Sequence, residues 1–260
     1  MQFYRDEQVP YYEIKTGQYQ IPAEKYHCHN EISIGVIESG TSLVSCQGNR
    51  FAVGQNHLII FPSRVMHQCT PKDIKTWKFK MLYIDNQWIE AVFSENTIRS
   101  IMIKKMNFVN INKIKSFFSY LESKASLLEK ETKLIITLAD IFSFSNTALY
   151  PINNKSCNDI ACSLRRYLEK HYLENITLDD MTNLSGITKY HLIRLFQKNY
   201  AMTPYAYVTQ MRLNHAKCLL RKGKELAYVA YEAGFYDQSH FTKTFKTYCG
   251  VTPHMYQTIN

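Results

Sequence analysis

Two short runs near the end of the chain carry side chains suited to reading nucleic acid. Lys189, Tyr190, Ile193 and Arg194 fall at helical spacing, and so do Gln238, Ser239, His240, Thr242, Lys243 and Lys246. An arginine can fork onto the O6 and N7 of guanine and a glutamine onto adenine. Hydroxyl, aromatic and apolar groups can meet thymine methyls and sugars. Lysines suit phosphates, which set register, whereas base contacts select sequence. His240 suits either role. A second chemical group lies near the other end. His27, His29 and Glu31 alternate along one run, His67 closes the stretch that starts at Pro62, and Tyr83 ends a later apolar run. Three imidazoles can ligate a divalent ion. With Glu31 and Tyr83 they can instead line a pocket for a small polar molecule, or they are structural residues satisfied within the fold. Polar groups on an inward strand face are costly without partners, and a ligand would supply them. The pocket is the preferred reading. No Ser/His/Asp or catalytic cysteine arrangement stands out, so no enzyme is expected.

The elements that must position the first group occur twice. Thr177-Leu178-Asp179-Asp180-Met181 leads through Gly186 to Thr188 and Phe196. Glu225-Leu226-Ala227-Tyr228-Val229 leads through Gly234 to Phe241 and Phe245. Each copy is followed by a Thr-Pro pair, Thr203-Pro204 and Thr252-Pro253. The pattern reads as helix, glycine turn, second helix. Thr177 and Thr188 are N-cap candidates, and the glycines permit a tight turn. Leu178, Met181, Leu184, Leu192, Leu195 and Phe196 are expected inside in copy one, and Leu226, Val229, Ala230, Phe241 and Phe245 in copy two. The side chains that remain on the second helix of each copy are the reading group, as a major groove requires. Between the copies a helix over residues 205–221 forms a rod of about 25 Å, able to hold two readers roughly one DNA turn apart.

Residues 10–84 read as strands: short alternating or apolar runs separated by turns at Ser39-Gly40, Gln47-Gly48-Asn49, Gly54-Gln55-Asn56 and Pro62-Ser63. This spacing indicates a small barrel or sandwich. Residues 87–94 suit one or two helical turns. Residues 112–129 and 132–144 carry apolar stripes, through Ile114, Phe117, Phe118, Leu121, Ala125 and Leu128 and through Ile135, Ile136, Leu138, Ala139 and Phe142. Such faces must be buried, on the barrel or against a second chain, which makes a homodimer through residues 112–144 an expectation. The expected fold is α+β multidomain, an N-terminal β-barrel plus a helical segment and a C-terminal all-α double helix-turn-helix. Its domains are a sensor and dimerisation domain over residues 1–150 (barrel about 10–84, helices about 87–146), a linker over 151–157, and a DNA-binding domain over 158–260.

Bulk properties agree. The chain has 260 residues and a formal charge of +9. Residues 155–260 hold 14 Lys/Arg against 8 Asp/Glu, and residues 1–154 hold 17 against 14, so the shorter part carries +6 and the longer +3. That bias suits a polyanion-binding module. The seven cysteines show no C-x-x-C, which argues against a disulfide framework and for a reduced, cytoplasmic protein. No signal peptide and no membrane span are expected.

The run Gly234-Phe235-Tyr236-Asp237-Gln238-Ser239-His240-Phe241-Thr242-Lys243-Thr244-Phe245-Lys246, with Gly250-Val251-Thr252-Pro253 after it, resembles the signature of the AraC/XylS family of bacterial transcription regulators. The resemblance spans residues 160–256. It implies two helix-turn-helix units on a long helix, docked in successive major grooves, with base contacts from Tyr190, Ile193 and Arg194 and from Gln238, Ser239, Thr242 and Lys243. One departure is Tyr200-Ala201 where the second unit has Cys249-Gly250. The N-terminal part resembles a cupin, by its His27-x-His29, its Pro62 to His67 spacing, and glycine turns at Gly40 and Gly54. Metal-bearing cupins place a carboxylate four or five residues after the second histidine, where this chain has Ser33 and Ile34. Arg64 replaces the usual glycine before the last histidine. No metal and no cofactor are therefore expected. The resemblance implies double-stranded DNA, a small-molecule effector and RNA polymerase as partners, and activation as the mode. A metal-dependent cupin enzyme fused to a DNA-binding domain, or a ligand-independent dimeric regulator, are the alternatives.

Overall fold

The computed structural model describes residues 1–18, 26–46, 48–93, 100–143, 149–151 and 158–258. Its contacts fall into two units, one holding Cys28–Asn153 with the strands before it, the other Asn154–Thr258.

The first unit is α+β. Its strands are β1 (Gln2–Asp6), β2 (Val9–Gln18), β3 (Ile32–Ser39), β4 (Thr41–Cys46), β5 (Asn49–Gly54), β6 (His57–Phe61), β7 (His67–Pro71), β8 (Lys78–Ile84), β9 (Ser100–Lys105) and β10 (Leu149–Pro151). A seven-stranded sheet runs β1-β2-β8-β3-β6-β9-β10 and a three-stranded sheet β5-β4-β7. Ile37, Val44, Val53, Ile59, Phe61, Phe79, Ile101 and Ile103 fill the space between the sheets. The other face of β3, through Ile32, Ile34 and Val36, joins a separate core with the helices. Strand β3 is thus buried on both faces, which accounts for its continuous apolar run where alternation would mark a half-exposed strand.

The sheet is larger than residues 10–84. Strand β1 precedes that stretch, and β9 and β10 follow it. Strand β1 forms a hairpin with β2 at the sheet edge, whereas the partners of β9 and β10 are remote in sequence. Ile60 of β6 pairs with Met102 of β9, and Leu149 of β10 with Met102 on its other side. Turn spacing cannot reveal such pairings.

The helices of this unit are α1 (Asn86–Phe93), α2 (Phe108–Leu121) and α3 (Leu127–Ser143). The stripe expected over 112–129 is broken, because Ser126 starts a new helix. Its amide and hydroxyl donate to the Glu129 carboxylate at 2.8 and 2.7 Å, a Ser-x-x-Glu start signal. Ile114, Phe117, Phe118 and Leu121 of α2 and Leu134, Leu138 and Ile141 of α3 pack on the sheet. Most of the apolar surface that suggested a dimer is therefore buried within the chain, while Leu128 (73%) and Ile136 (56%) stay exposed. Polar ties add direction: the Tyr12 hydroxyl donates to the Leu121 carbonyl at 2.9 Å, and Lys130 bonds Asp6 at 2.5 Å and the Tyr4 hydroxyl at 3.1 Å. Among the described residues no helix is long and apolar enough to cross a membrane.

The second unit is all helical: α4 (Asp159–His171), α5 (Leu178–Ser185), α6 (Lys189–Tyr200), α7 (Pro204–Arg221), α8 (Leu226–Glu232), α9 (Gln238–Cys249) and α10 (Pro253–Gln257). Asn158 caps α4 by accepting from Ile160 and Ala161 amides. Helix α7 has 18 residues, about 27 Å at 1.5 Å each. Both Thr-Pro pairs serve one purpose: Thr203 and Thr252 accept from the amide three residues on, and the proline follows at the first helical position, where its missing N–H costs nothing. Cys162 at the start of α4 is disulfide-bonded, against the expectation of a fully reduced set. Cys28, Cys46, Cys69, Cys218 and Cys249 are free.

Candidate nucleic-acid interface and ligand pocket

In the first copy Thr177 and Asp180 form a reciprocal capping box at the start of α5, and Gly186 ends that helix at φ +68°. Thr188 then caps α6 by accepting from His191 N–H. Leu192 and Phe196 are fully buried, and Met181 anchors α5. Three expected core positions are less covered: Leu178 and Leu195 are half-buried and Leu184 is exposed. An eight-residue helix has room for one fully inward turn, which Met181 takes. Lys189, Tyr190 and Arg194 are exposed and Ile193 is half-buried. They lie at the N-terminal half of α6, where a major-groove reader needs them. Lys189 pairs with Asp179 at 2.7 Å on the surface. Exposed pairs of this kind contribute at most about 1 kcal/mol, so a phosphate can displace Asp179.

The second copy repeats the construction with other caps. Glu225 precedes α8 without a side-chain cap bond, Asp237 caps α9 through His240 N–H at 2.7 Å, and Gly234 makes the turn at φ +75°. Val229, Ala230, Phe241 and Phe245 are buried, and Leu226 is half-buried. Gln238, Ser239, His240, Lys243 and Lys246 are exposed and Thr242 is half-buried. Tyr236, just before α9, is 94% exposed. The sequence reading passed over it as part of the turn; its place one residue before an N-cap was the available signal.

The departure at the end of copy one has a structural counterpart. Gly250 closes α9 at φ +82°, and Ala201 closes α6 at φ +58°. Both take the left-handed conformation that ends a helix, and the alanine does so with a Cβ.

In the first unit the structure brings His29, His67 and Tyr83 together. The His29 ring lies 4.7 Å from Tyr83 and 5.4 Å from His67, and His67 stacks on Phe61 at 3.9 Å. Ser33 pairs across the sheet with both Phe61 and Tyr83, and its hydroxyl is buried without a hydrogen-bond partner. A buried polar atom of that kind requires an explanation, and a polar ligand atom supplies one. Ser33 and Phe61 stand beside this cluster, and the sequence reading did not count them in the candidate site. Burial pushes the His67 imidazolium down to about 4, against the Val65 carbonyl that its Nδ1 reaches at 2.9 Å. A carbonyl only accepts, so Nδ1 carries the proton of the neutral ring and Nε2 is the acceptor nitrogen. Arg64, standing where the cupin pattern has glycine, takes φ +61°, and its amide donates to the His29 carbonyl at 2.7 Å. Cys46 and Cys69 are pushed up to about 12 by burial, which makes both thiols unreactive.

One nitrogen each of His27, His29 and His67 lies within 4.8 Å of the others. Two nitrogens on one tetrahedral ion sit about 3.3–3.4 Å apart, from bonds of about 2.0–2.1 Å. No carboxylate joins the three among the described residues. Glu31 is half-buried and stands outside this cluster.

Residues 11–102 match the AraC-like ligand binding domain, and residues 181–259 match a helix-turn-helix domain. The transcriptional regulator YbfI of Bacillus subtilis (strain 168) is 28% identical over 241 residues, covering 89% of this chain and 86% of its own. The chain belongs to the AraC family of transcription regulators. The melibiose operon regulatory protein of Escherichia coli (strain K12) is 20% identical over 254 residues, covering 90% and 83% of the two chains. Among solved structures, unsaturated fatty acid bound ToxT from Vibrio cholerae strain SCE256 superposes with a TM-score of 0.61 at 12% identity, covering 97% of each chain. That likeness shows the fold: a sheet-rich N-terminal part followed by an all-helical one. This AraC-family chain is accordingly a DNA-binding transcription regulator with an N-terminal ligand-binding domain.

Proposed function

We propose that α6 and α9 read successive major grooves. Lys189, Tyr190, Ile193 and Arg194 serve the first box, and Gln238, Ser239, His240, Thr242, Lys243 and Lys246 the second. Tyr236 adds a sugar or phosphate contact. The observation that carries this reading is the exposure of both sets, with only Ile193 and Thr242 half-buried, on N-capped helices whose opposite faces are buried. Arg194→Ala is expected to cost about 1–3 kcal/mol of specific binding and to relax one base preference. Binding-site selection with both proteins checks this; a uniform loss over all sequences would make Arg194 a phosphate contact instead.

The barrel senses a small molecule through His29, His67 and Tyr83, with Ser33 and Phe61 added and His27 and Glu31 at the margin. Neutral His67 and the Ser33 hydroxyl favour an effector with hydrogen-bond donors and an apolar face. Ligand control requires that the effector bind the DNA-competent state better than the other. A thermal-shift screen of metabolites tests the pocket, because any binder raises Tm by mass action; a true effector loses its shift in His67→Ala. Domain boundaries at residues 1–150 and 158–260 suit this division of labour.

A divalent ion is the second reading of the pocket, favoured by the three clustered imidazoles. Near-stoichiometric metal lost on His67→Ala would carry it. The chain is read as a regulator and not an enzyme. Activation with RNA polymerase as partner, and a cytoplasmic site of action, follow from the family. A homodimer through residues 112–144 would use the groove lined by Tyr120, Leu128, Thr132 and Ile136.

A further inference from the structure

Arg212 sits midway along α7, the helix that joins the two reading units. Its Nε donates to the Tyr172 carbonyl at 2.7 Å and its Nη2 to the Glu174 carbonyl at 2.8 Å. Those carbonyls belong to the turn between α4 and α5, at the entrance to the first helix-turn-helix. Gly234, the turn of the second, lies against the same guanidinium. A Cβ there would stand 3.0 Å from Arg212 Nε, 3.1 Å from Cζ and 3.2 Å from the Leu173 carbonyl oxygen. Gly186, the matching glycine of the first copy, has nothing within 4 Å of its Cβ position. The residue the same distance before Gly186 is Leu164, buried in the core. The two glycines therefore answer different demands. Gly186 supplies a left-handed turn, and Gly234 supplies the turn and the space for a guanidinium.

We propose that Arg212 is a positioning residue for two-groove binding, pinning the turn after α4 and the Gly234 turn to one point of α7 and so fixing α6 relative to α9. Apolar packing alone tolerates small slides, whereas a planar guanidinium fork fixes direction. The second groove is engaged as an intramolecular event, so an error in relative placement reduces its effective concentration. The proposal rests on DNA reading by both helices.

The test uses the full chain and a duplex that the wild type selects from random DNA. That duplex is compared with one carrying two extra base pairs between the boxes, and with one in which a single box is intact. Wild type is expected to lose at least about tenfold on the lengthened duplex, because both boxes no longer fit. Arg212→Ala is expected to bind the original duplex about tenfold more weakly, and the single-box duplex within about twofold of wild type. Its penalty for the longer spacer should shrink to about threefold or less. Arg212→Lys keeps the charge and the stem but not the fork, and should fall between. An equal loss on all three duplexes, with the spacer penalty unchanged, would overturn the proposal. If Arg212→Ala does not fold, as judged by circular dichroism, Arg212→Lys carries the comparison with the same two outcomes. A wild type indifferent to the second box would defeat the two-helix reading itself.

Discussion

His67 is the residue whose surroundings most narrow the chemistry of the proposed pocket. Its folded pKa lies near 4 against an ordinary value of 6.5. Between those values the unfolded chain binds more protons, so the contribution of His67 is present above 6.5 and is lost as pH falls toward 4. Urea unfolding of the wild type should show about 2 kcal/mol less stability at pH 5 than at pH 7 from this group. His67→Phe should remove that part of the slope; an unchanged slope would show that His67 is not held neutral. The pocket was only half legible in sequence. His29, His67 and Tyr83 announced themselves as polar groups near turns, and alternation puts Ser33 on the face of His29, but Phe61 joins them only through strand register, and pairings between distant segments leave no local signature.

At the scale of elements, two ties invite measurement. Lys130 is buried (2% exposed) and is balanced by Asp6 across 2.5 Å. Burial works against the charge on Asp6, and the bonds from Lys130, the Gln8 amide and the Tyr4 hydroxyl, with the Lys130 charge, together more than offset it, holding the carboxylate below its usual range. Removing one member of such a pair strands the other. Lys130→Ala should therefore cost about 3 kcal/mol in chemical denaturation, and Lys130→Ala with Asp6→Ala should cost less than the sum of the single changes. Ala201 closes α6 at a positive φ where Gly250 closes α9. Ala201→Gly should raise stability by about 1 kcal/mol, less any entropy the glycine restores to the unfolded chain; a loss of stability would mean that the alanine is not strained. The helical repeat was legible because caps, glycine turns and Thr-Pro starts are local. Leu184 misled because its spacing is helical while α5 is too short to bury it. The break between α2 and α3 was written in Ser126 and Glu129 but masked by an apolar stripe that runs through it. Strands β9 and β10 were hidden because their partners are remote in sequence, whereas β1, a five-residue edge strand paired with its neighbour β2, was simply passed over.

At the scale of the whole molecule, the second unit has a core of its own, through Leu164, Leu168, Leu192, Phe196, Leu213, Phe241, Phe245 and Tyr256. A fragment lacking residues 1–150 should fold and keep sequence preference at raised salt, where non-specific phosphate binding is weakened. Binding by that fragment without sequence preference would assign part of the recognition to the first unit. On the proposed reading, one chain reads two boxes through α6 and α9. That reading is tested most directly by methylation and hydroxyl-radical footprinting on the selected duplex. Two protected major-groove segments about 34 Å apart on one face of the DNA are expected, the first weakened by Arg194→Ala and the second by Gln238→Ala. A single protected segment, or a pair that disappears together in either variant, would contradict it.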